Sequence, residues 1–176
     1  MQLKSGELTL LKGSNGIGKS SLVQILKKGK QHYFNDENVV YVDQTALNPL
    51  NDISLDEVIK QWYKKRVEKL ELFETTYEKC LHFRETPLKE LSGGQNQLAK
   101  ICLGLYFSGD IFVLDEPFQH LDQANIQYLY ESLVQLKKLN KKILMIEHRS
   151  DLIQDIVNSS YILVQTSDEL RIQSGS

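Results

Sequence analysis

The clearest pattern along the chain is a series of short apolar runs. Three of these runs are short and rich in aliphatic or β-branched residues, which favours buried strands: Val39–Val42, Ile111–Leu114 and Ile143–Ile146. The pattern from Glu7 to Leu11 predicts a further short strand. Two weaker runs, Tyr161–Val164 and Leu170–Ile172, predict a terminal hairpin around Ser167 and Asp168.

Segments with helical periodicity lie between these strands. Helices are predicted over Ser20–Lys28, with Gly29 as a stop, over Leu98–Phe107 and over Asn125–Leu139. The last of these places five apolar residues on or near one face: Ile126, Leu129, Leu133, Leu136 and Leu139. Buried strands that alternate with helices indicate the α/β class, with a mostly parallel sheet covered by helices on both faces.

The segment from Thr45 to Glu90 has a different, mainly helical pattern. Ser54 and Glu57 have the spacing of a capping box at a helix N-terminus. The residues that follow are spaced for one helical face (Leu55, Val58, Ile59 and Trp62), and a second pattern comprises Val67, Leu70, Leu72, Phe73 and Tyr77. We predict a small helical subdomain, residues 45–90, inserted in a single domain whose core comprises residues 1–44 and 91–176.

Composition narrows the class of protein. With 176 residues, 41% hydrophobic and 25% charged, the chain resembles one ordinary globular domain and not a disordered or fibrous protein. A net charge of −2 makes nucleic acid an unlikely partner. The two cysteines are too few for a disulfide framework and predict reduced thiols in a cytosolic protein. No apolar run is long enough to span a membrane, and we see no signal peptide, so a membrane role would require docking onto a partner.

The segment from Gly13 to Ser20, GSNGIGKS, has the full pattern of a phosphate-binding loop between a strand and a helix. Glycines allow the positive φ that turns successive N–H groups toward phosphate oxygens, and the helix N-terminus adds partial positive charge. In this pattern Lys19 reaches the β- and γ-phosphates, and the Ser20 hydroxyl ligates Mg²⁺.

Two further segments carry groups suited to the same chemistry. Asp115 and Glu116 follow a predicted buried strand, where one carboxylate can hold Mg²⁺ and the next can polarise water. The segment Leu91–Gln95, LSGGQ, places Ser-Gly-Gly just before a helix and makes a second anion site. Because one nucleotide has no obvious need of two such sites in one chain, we predict two chains packed head to tail.

In this order the motifs resemble those of the ATP-binding cassette (ABC) ATPases, over nearly the whole chain. The phosphate loop resembles the family's Walker A motif, Leu91–Gln95 its signature motif, and Ile111–Glu116 its Walker B motif. Gln44 matches the Q-loop glutamine, Leu121-Asp122 the D-loop at the dimer seam, and His148 the switch histidine. The resemblance implies the fold of a P-loop NTPase.

The resemblance also implies a role for each matched residue, with ATP and Mg²⁺ as cofactors. The catalytic residues would be Glu116, His148, Gln44 and Lys19, and the Mg²⁺ ligands Ser20, Gln44 and Asp115. Nucleotide would be bound by Gly13, Ser14, Asn15, Gly16, Ile17, Gly18, Lys19, Ser20 and Ser21, and in the opposite chain by Ser92, Gly93, Gly94, Gln95 and Asp122. By the family pattern, ATP lies between the Walker A motif of one chain and the signature motif of the other.

For the whole protein, the resemblance favours the ATP-binding subunit of a transporter at the cytoplasmic face of a membrane. Its partners would be a second cassette, identical or not, and an integral membrane subunit. One alternative is a soluble ATPase that acts on ribosomes or DNA, although residues 45–90 are too short for the coiled-coil arms of the DNA branch. A regulatory cassette in an unequal pair is the other alternative. The sequence does not reveal the substrate or the direction of transport.

The chain departs from the family pattern before the phosphate loop. Few residues precede Gly13, and the spacing from Lys19 to Gln44 is short, so N-terminal strands and the aromatic residue that stacks on adenine are expected to be missing. Adenine would then be held loosely, with Tyr33 or Phe34 as a weak candidate substitute.

Overall fold

The computed structural model describes residues 1–14, 16–29, 34, 37–63, 71–107, 109–166 and 169–175. Six strands form one sheet in the order β2-β3-β4-β1-β5-β6. Their bounds are Leu8–Lys12 (β1), Val39–Val42 (β2), Ile111–Asp115 (β3), Lys142–Ile146 (β4), Ser159–Gln165 (β5) and Leu170–Ser174 (β6). All neighbouring strands are parallel except β6, which is antiparallel to β5 and completes the predicted hairpin.

Burial on both faces explains the continuous apolar runs of the inner strands. Along β3, Phe112 and Leu114 belong to one core cluster, whereas Ile111 and Val113 belong to the cluster on the opposite face. Strand β4 alternates in the same way. Because neighbouring side chains of a strand point to opposite faces, a strand that is buried on both faces of the sheet needs an apolar residue at every position. The α/β class and the mostly parallel sheet are therefore confirmed.

Strand β2 has the predicted bounds but not the predicted burial. Only Val42 is buried, and Val39, Val40 and Tyr41 are half-buried. The reason is the strand order, which places β2 at the open edge of the sheet with β3 as its single neighbour. An apolar edge strand is a surface that natural proteins cover or pair.

Five helices accompany the sheet in the described part of the chain: Lys19–Lys28 (α1), Leu55–Tyr63 (α2), Glu71–Lys79 (α3), Gly93–Phe107 (α4) and Gln123–Lys138 (α5). Helix α4 begins at Gly93, five residues earlier than predicted. The prediction was wrong for Leu139, which follows α5 and is 50% exposed. The chain leaves the helix there through Asn140, whose φ is +56°.

The helices of the inserted segment pack as their periodicity predicts. Ser54 and Glu57 form the capping box, since each backbone N–H donates to the side chain of the other residue, at 2.7 and 3.2 Å. Leu55, Val58 and Ile59 are buried in the core. The side chain of Trp62 and the whole of Val67 and Leu70 lie outside the described residues. The division of the chain into a core and a helical subdomain stays a prediction.

Aromatic and ionic contacts attach α3 to its surroundings. The rings of Phe73 and Tyr106 meet edge to face with centroids 5.0 Å apart, which joins α3 to α4. The Tyr77 hydroxyl donates to the buried Asp56 carboxylate, which also lies 3.6 Å from the Arg84 guanidinium. Both cysteines, Cys80 and Cys102, are free and buried. Within the described ranges, the helices are all too short or too polar to cross a membrane.

Candidate functional site

The phosphate loop lies between β1 and α1, at the sheet edge where the parallel strands end. Gly16 and Gly18 have φ of +77° and +101°, a conformation that side-chain-bearing residues rarely adopt. Gly18 caps α1 without a side chain, so the N–H groups of the first helical turn stay available to a ligand. Asn15 lies outside the described residues.

Lys19 has its charge at the base of this loop. Its side chain is buried, and Nζ donates to the carbonyl oxygens of Gly13 and Ser14 at 2.9 and 3.0 Å. An ammonium group has three protons, so these two bonds leave one for an oxygen of a ligand. Lys19 therefore stabilises the loop and supplies positive charge to whatever the loop binds.

Several carboxylate groups lie close together beside the phosphate loop, at the end of β3. Asp115 is buried and lies beside the Ser20 hydroxyl. Burial raises the pKa of Asp115, the neighbouring Ser20 hydroxyl opposes this, and the charges of Glu116 and Asp43 raise the pKa further. A cluster of negative charge with a hydroxyl donor is the environment that a hard divalent cation relieves.

The donor set fits Mg²⁺ bound together with phosphate oxygens. Among the residues described, no three His, Cys, Asp or Glu side chains are arranged to hold a metal ion by themselves. Mg²⁺ is usually held by one or two carboxylates plus substrate phosphates and water, so Ser20 and Asp115 would be sufficient protein ligands.

Replacing Asp115 tests whether its buried negative charge destabilises the protein when no cation is bound. We expect Asp115→Asn to raise the melting temperature of the nucleotide-free protein at neutral pH and to weaken Mg²⁺-dependent ATP binding. The raised pKa means that the folded state penalises the charged carboxylate, and this penalty disappears as the pH falls through that pKa. The gain should therefore shrink on acidification in thermal unfolding measurements. Asp151→Asn, at an exposed position, is the control, and an equal gain there would contradict the explanation.

Glu116 and His148 meet at the ends of β3 and β4. His148 Nε2 lies 3.2 Å from Glu116 Oε1, and both side chains are partly exposed. Glu116 has a φ of +49°, and its N–H donates to the Ile146 carbonyl at 2.9 Å. A left-handed conformation at a non-glycine residue costs about 1–2 kcal/mol, so the surrounding contacts, including this backbone hydrogen bond, hold the Glu116 backbone in place.

Glu147 is a residue that the sequence prediction missed. It is buried, and its Oε1 accepts the N–H groups of His148 and Arg149 at 2.7 and 2.9 Å. These bonds fix the backbone that carries the His148 imidazole. The available signal was its position directly after a buried strand, as for Asp115.

Gln44 lies in the loop after β2, and its neighbours position it. Asp43 is buried, pairs with the Lys27 ammonium and accepts the amide and hydroxyl of Thr45 at 2.8 and 2.9 Å. Burial raises the pKa of Asp43, but the Lys27 and Thr45 contacts outweigh it and hold the pKa below its usual value. Lys100 of α4 donates to the Gln44 carbonyl at 3.4 Å. Asp43 was also missed as a positioning residue.

The signature segment forms a separate half-site at the start of α4. Ser92 and Gln95 bond reciprocally, each backbone N–H to the other side chain, at 3.0 and 3.3 Å. A Cβ on Gly94 would lie 2.8 Å from the His120 carbonyl oxygen, so only glycine fits there without movement. The Asp122 carboxylate caps α5 by accepting the Asn125 N–H at 2.8 Å.

Ten of the predicted site residues line one or the other of two clefts, and these clefts have no lining residue in common. The first is lined by Gly16, Gly18, Lys19, Ser20, Ser21 and Glu116. The second is lined by Ser92, Gly94, Gln95, Asp122 and several neighbours, including His120. Gln44, Asp115 and His148 are among the predicted site residues that line neither cleft. The segment 116–122 runs from one cleft to the other and is held against α4 by the Gln97 side-chain amide, which donates to the Pro117 carbonyl at 2.9 Å.

Phe34 does not provide a surface for a nucleotide base. Its side chain is 7% exposed and packs in the core cluster between α1 and the sheet. Phe34, one of the two weak candidates for a residue that stacks on the base, is therefore excluded from that role, and the other candidate, Tyr33, lies outside the described residues.

A phosphate loop at the carboxyl edge of a mostly parallel sheet, with a second glycine-rich helix N-terminus, defines a P-loop NTPase fold of the ATP-binding cassette type. The chain belongs to the ABC transporter family, because the sequence model of that family matches residues 1–119.

Individual relatives agree with this assignment. The chain is 26% identical over 174 residues to an uncharacterised ABC transporter ATP-binding protein of Methanocaldococcus jannaschii, covering 92% of this chain and 65% of that protein. It is 31% identical over 160 residues to the zinc import ATP-binding protein ZnuC of Photobacterium profundum, covering 84% and 60%. It is 32% identical to the ATP-binding protein Uup of Buchnera aphidicola over 88% of this chain, but spans only 27% of that protein.

Solved structures agree in fold. A nucleotide-free ATP-binding cassette from an ABC transporter superposes with a TM-score of 0.65 at 21% identity, covering 100% of this chain and 83% of that one. The structure titled as a model of ribosome-bound archaeal Pelota and ABCE1 gives a TM-score of 0.76 at 21% identity, covering 97% and 30%.

Proposed function

We propose that the chain is the ATP-hydrolysing subunit of an ABC transporter, working at the cytoplasmic face of a membrane beneath a separate membrane subunit. The observation that carries the proposal is the pair of clefts without a shared residue. A phosphate loop in one cleft and a signature segment in the other support head-to-tail pairing with a second cassette, so that each nucleotide contacts both chains.

The first cleft contains the groups that phosphoryl transfer to water requires. Lys19 and the free amides of α1 stabilise charge on the phosphates. Glu116 accepts a proton from the attacking water. At the same time the water oxygen bonds to the γ-phosphorus, and the bond between this phosphorus and the ADP oxygen breaks. His148 contacts Glu116 through Nε2 and orients this carboxylate. The products are ADP and inorganic phosphate.

Mg²⁺ would be held by Ser20 and Asp115, with Gln44 as a further ligand, and would neutralise charge on the phosphate oxygens. The raised pKa of Asp115 supports this assignment, because a bound cation would offset both the cost of burying the carboxylate and the repulsion from Glu116 and Asp43.

In the pair, Ser92, Gly94 and the first turn of α4 would bind the nucleotide held by the opposite chain. The segment 116–122 supports coupling between the two steps, since it carries Glu116 at one end and contacts Gly94 through His120 at the other. Loss of the γ-phosphate at one cleft would then loosen contacts at the seam.

An apolar groove beside the Gln44 loop supports docking of a helix from the membrane subunit. It is lined by exposed and half-buried apolar residues of β2, of α4 and of the segment between β2 and α2, among them Val40, Phe107 and Leu50, together with Lys27 and Lys100. Lys100 also donates to the Gln44 carbonyl, so a helix in the groove would act on the loop that carries Gln44. A helix in this groove would also cover the open edge of the sheet at β2.

The names of the relatives support a function in transport, and, as a second candidate, a function in translation. The chain is similar to proteins named for zinc import and branched-chain amino acid transport. It is also 28% identical over 165 residues to elongation factor 3 of Mycosarcoma maydis, of which it spans 15%. The second candidate is therefore a soluble ATPase that acts on ribosomes.

Purification of tagged Glu116→Gln protein from its native cells, in mild detergent with ATP and Mg²⁺, separates the two candidates. We expect mass spectrometry to find a stoichiometric protein with several membrane spans. Ribosomal proteins without such a membrane protein would establish the second candidate instead.

Two matched variants test the groove in the same preparation. Phe107→Asp, in the groove, is expected to lose the membrane protein. Leu139→Asp changes another exposed apolar residue, which does not line the groove, and it is expected to retain the partner.

A further inference from the structure

The terminal hairpin of β5 and β6 lies against the phosphate loop. A Cβ built on Gly18 would lie 3.7 Å from Leu170 Cδ2, and one built on Gly13 would lie 3.3 Å from Leu163 Cβ. Strand β5 ends at the same edge of the sheet as β1, and antiparallel β6 begins at that edge with Leu170. The first residue of β6 therefore borders the cleft that contains the loop.

Leu170 and Ile172 form an exposed apolar patch on this hairpin. Their side chains are 41% and 39% exposed. The register pairs Leu163 with Ile172 and Gln165 with Leu170, so both lie on the face of the sheet that carries α1. Leu163 is buried in the cluster with residues of α1, whereas every residue of β6 is exposed, so α1 does not cover this strand. The patch is continuous with the phosphate loop and open to a ligand.

The strand order gives the direction in which a bound nucleotide runs. The groups proposed to act on the last phosphate are Asp115, Glu116 and His148, which follow β3 and β4 on one side of β1. Strands β5 and β6 lie on the other side of β1, with β6 two strand spacings, about 10 Å, away. With its last phosphate near Glu116, a nucleotide extends its nucleoside toward β6.

We infer that Leu170 and Ile172 hold the base of the nucleotide whose phosphates lie in the loop of the same chain. This inference rests on the proposed function and deepens it by naming the surface that contacts the base. Every base has an apolar face that a flat or aliphatic surface can cover. Because neither side chain carries a hydrogen-bonding group, the surface does not distinguish adenine from guanine.

The test compares ADP with inorganic pyrophosphate by isothermal titration calorimetry with Mg²⁺. The two probes share the phosphates and differ by the nucleoside, and neither is hydrolysed by the proposed reaction. We expect both to bind, ADP more tightly, and GDP within about threefold of ADP. Leu170→Ala should weaken ADP about three- to tenfold, since part of the apolar contact is lost, and leave pyrophosphate unchanged.

A second variant, designed to tighten binding, separates a lost contact with the base from damage to the phosphate loop. Leu170→Tyr offers an aromatic face and should tighten ADP about tenfold, again without effect on pyrophosphate. Leu139→Ala changes another exposed leucine, at the end of α5; it is the control and should change neither affinity.

The outcomes separate this inference from the proposed function. If neither pyrophosphate nor ADP binds, the proposed function fails and the inference fails with it. If pyrophosphate binds and the ratio of ADP to pyrophosphate affinity is the same in all Leu170 variants, the base lies elsewhere and only the inference is overturned.

Discussion

Glu116→Gln is expected to bind ATP with near-normal affinity but to hydrolyse it at least about 100-fold more slowly. The amide keeps the shape of the side chain but cannot accept a proton from water, and general-base catalysis contributes roughly 10²–10⁴-fold to a rate. Phosphate release measures the loss. Because ATP then persists between the chains, size-exclusion chromatography with ATP and Mg²⁺ should show accumulated dimers.

The matched control for this variant is Glu131→Gln on α5, where the carboxylate accepts a hydrogen bond from the Gln127 side chain at the surface. It should hydrolyse ATP at the normal rate. Normal turnover together with an unchanged monomer peak for Glu116→Gln would contradict the assignment of Glu116 as the base.

Lys19→Ala is expected to weaken ATP binding by about 100-fold or more. The variant removes one charged hydrogen bond to the phosphates, worth about 1.5–3 kcal/mol. It also leaves the Gly13 and Ser14 carbonyls without the donor that holds the loop in shape. Calorimetric titration with ATP and Mg²⁺ measures the loss.

Lys28→Ala is the control for charge, because Lys28 is exposed in the last turn of the same helix, α1. Thermal unfolding of both variants separates a lost contact from a lost fold. Full ATP affinity in folded Lys19→Ala protein would refute the role of the phosphate loop.

Local patterns predicted the elements well where backbone chemistry alone decides them. The glycine spacing predicted a turn with positive φ before α1, and Gly16 and Gly18 adopt it. The capping box at Ser54 and Glu57 formed as its spacing requires. These features depend on residues within a few positions of one another, so one segment of sequence contains all the information.

Predictions failed where the local period shows neither which element covers a face nor where a helix ends. Val39–Val42 has the composition of an inner strand, but its place in the strand order leaves one side uncovered. Leu139 continues the period of α5 but lies just beyond the turn at which the helix ends. Phe34 is aromatic and near the loop in sequence, yet the core between α1 and the sheet encloses it. Periodicity describes a face and does not say which element covers it.

The missed site residues share one property. Asp43 and Glu147 are buried carboxylates whose partners are Lys27 on another element and backbone amides of their own loop. Their type and position, at strand ends, resemble many solvated turns. Only the folded chain shows that they hold the loops carrying Gln44 and His148.

By itself, the sequence determined the class of the sheet, the phosphate loop, the signature segment and the family to which they belong. These features depend on residues a few positions apart and on the alternation of strands and helices along the chain. The tertiary structure decided the order β2-β3-β4-β1-β5-β6, and with it the remaining features of the site. That order brings Glu116 to His148, leaves an open edge at β2 and sets Leu170 beside Gly18. Strand order follows from the packing of surfaces far apart in the chain, and no local pattern encodes which surfaces meet.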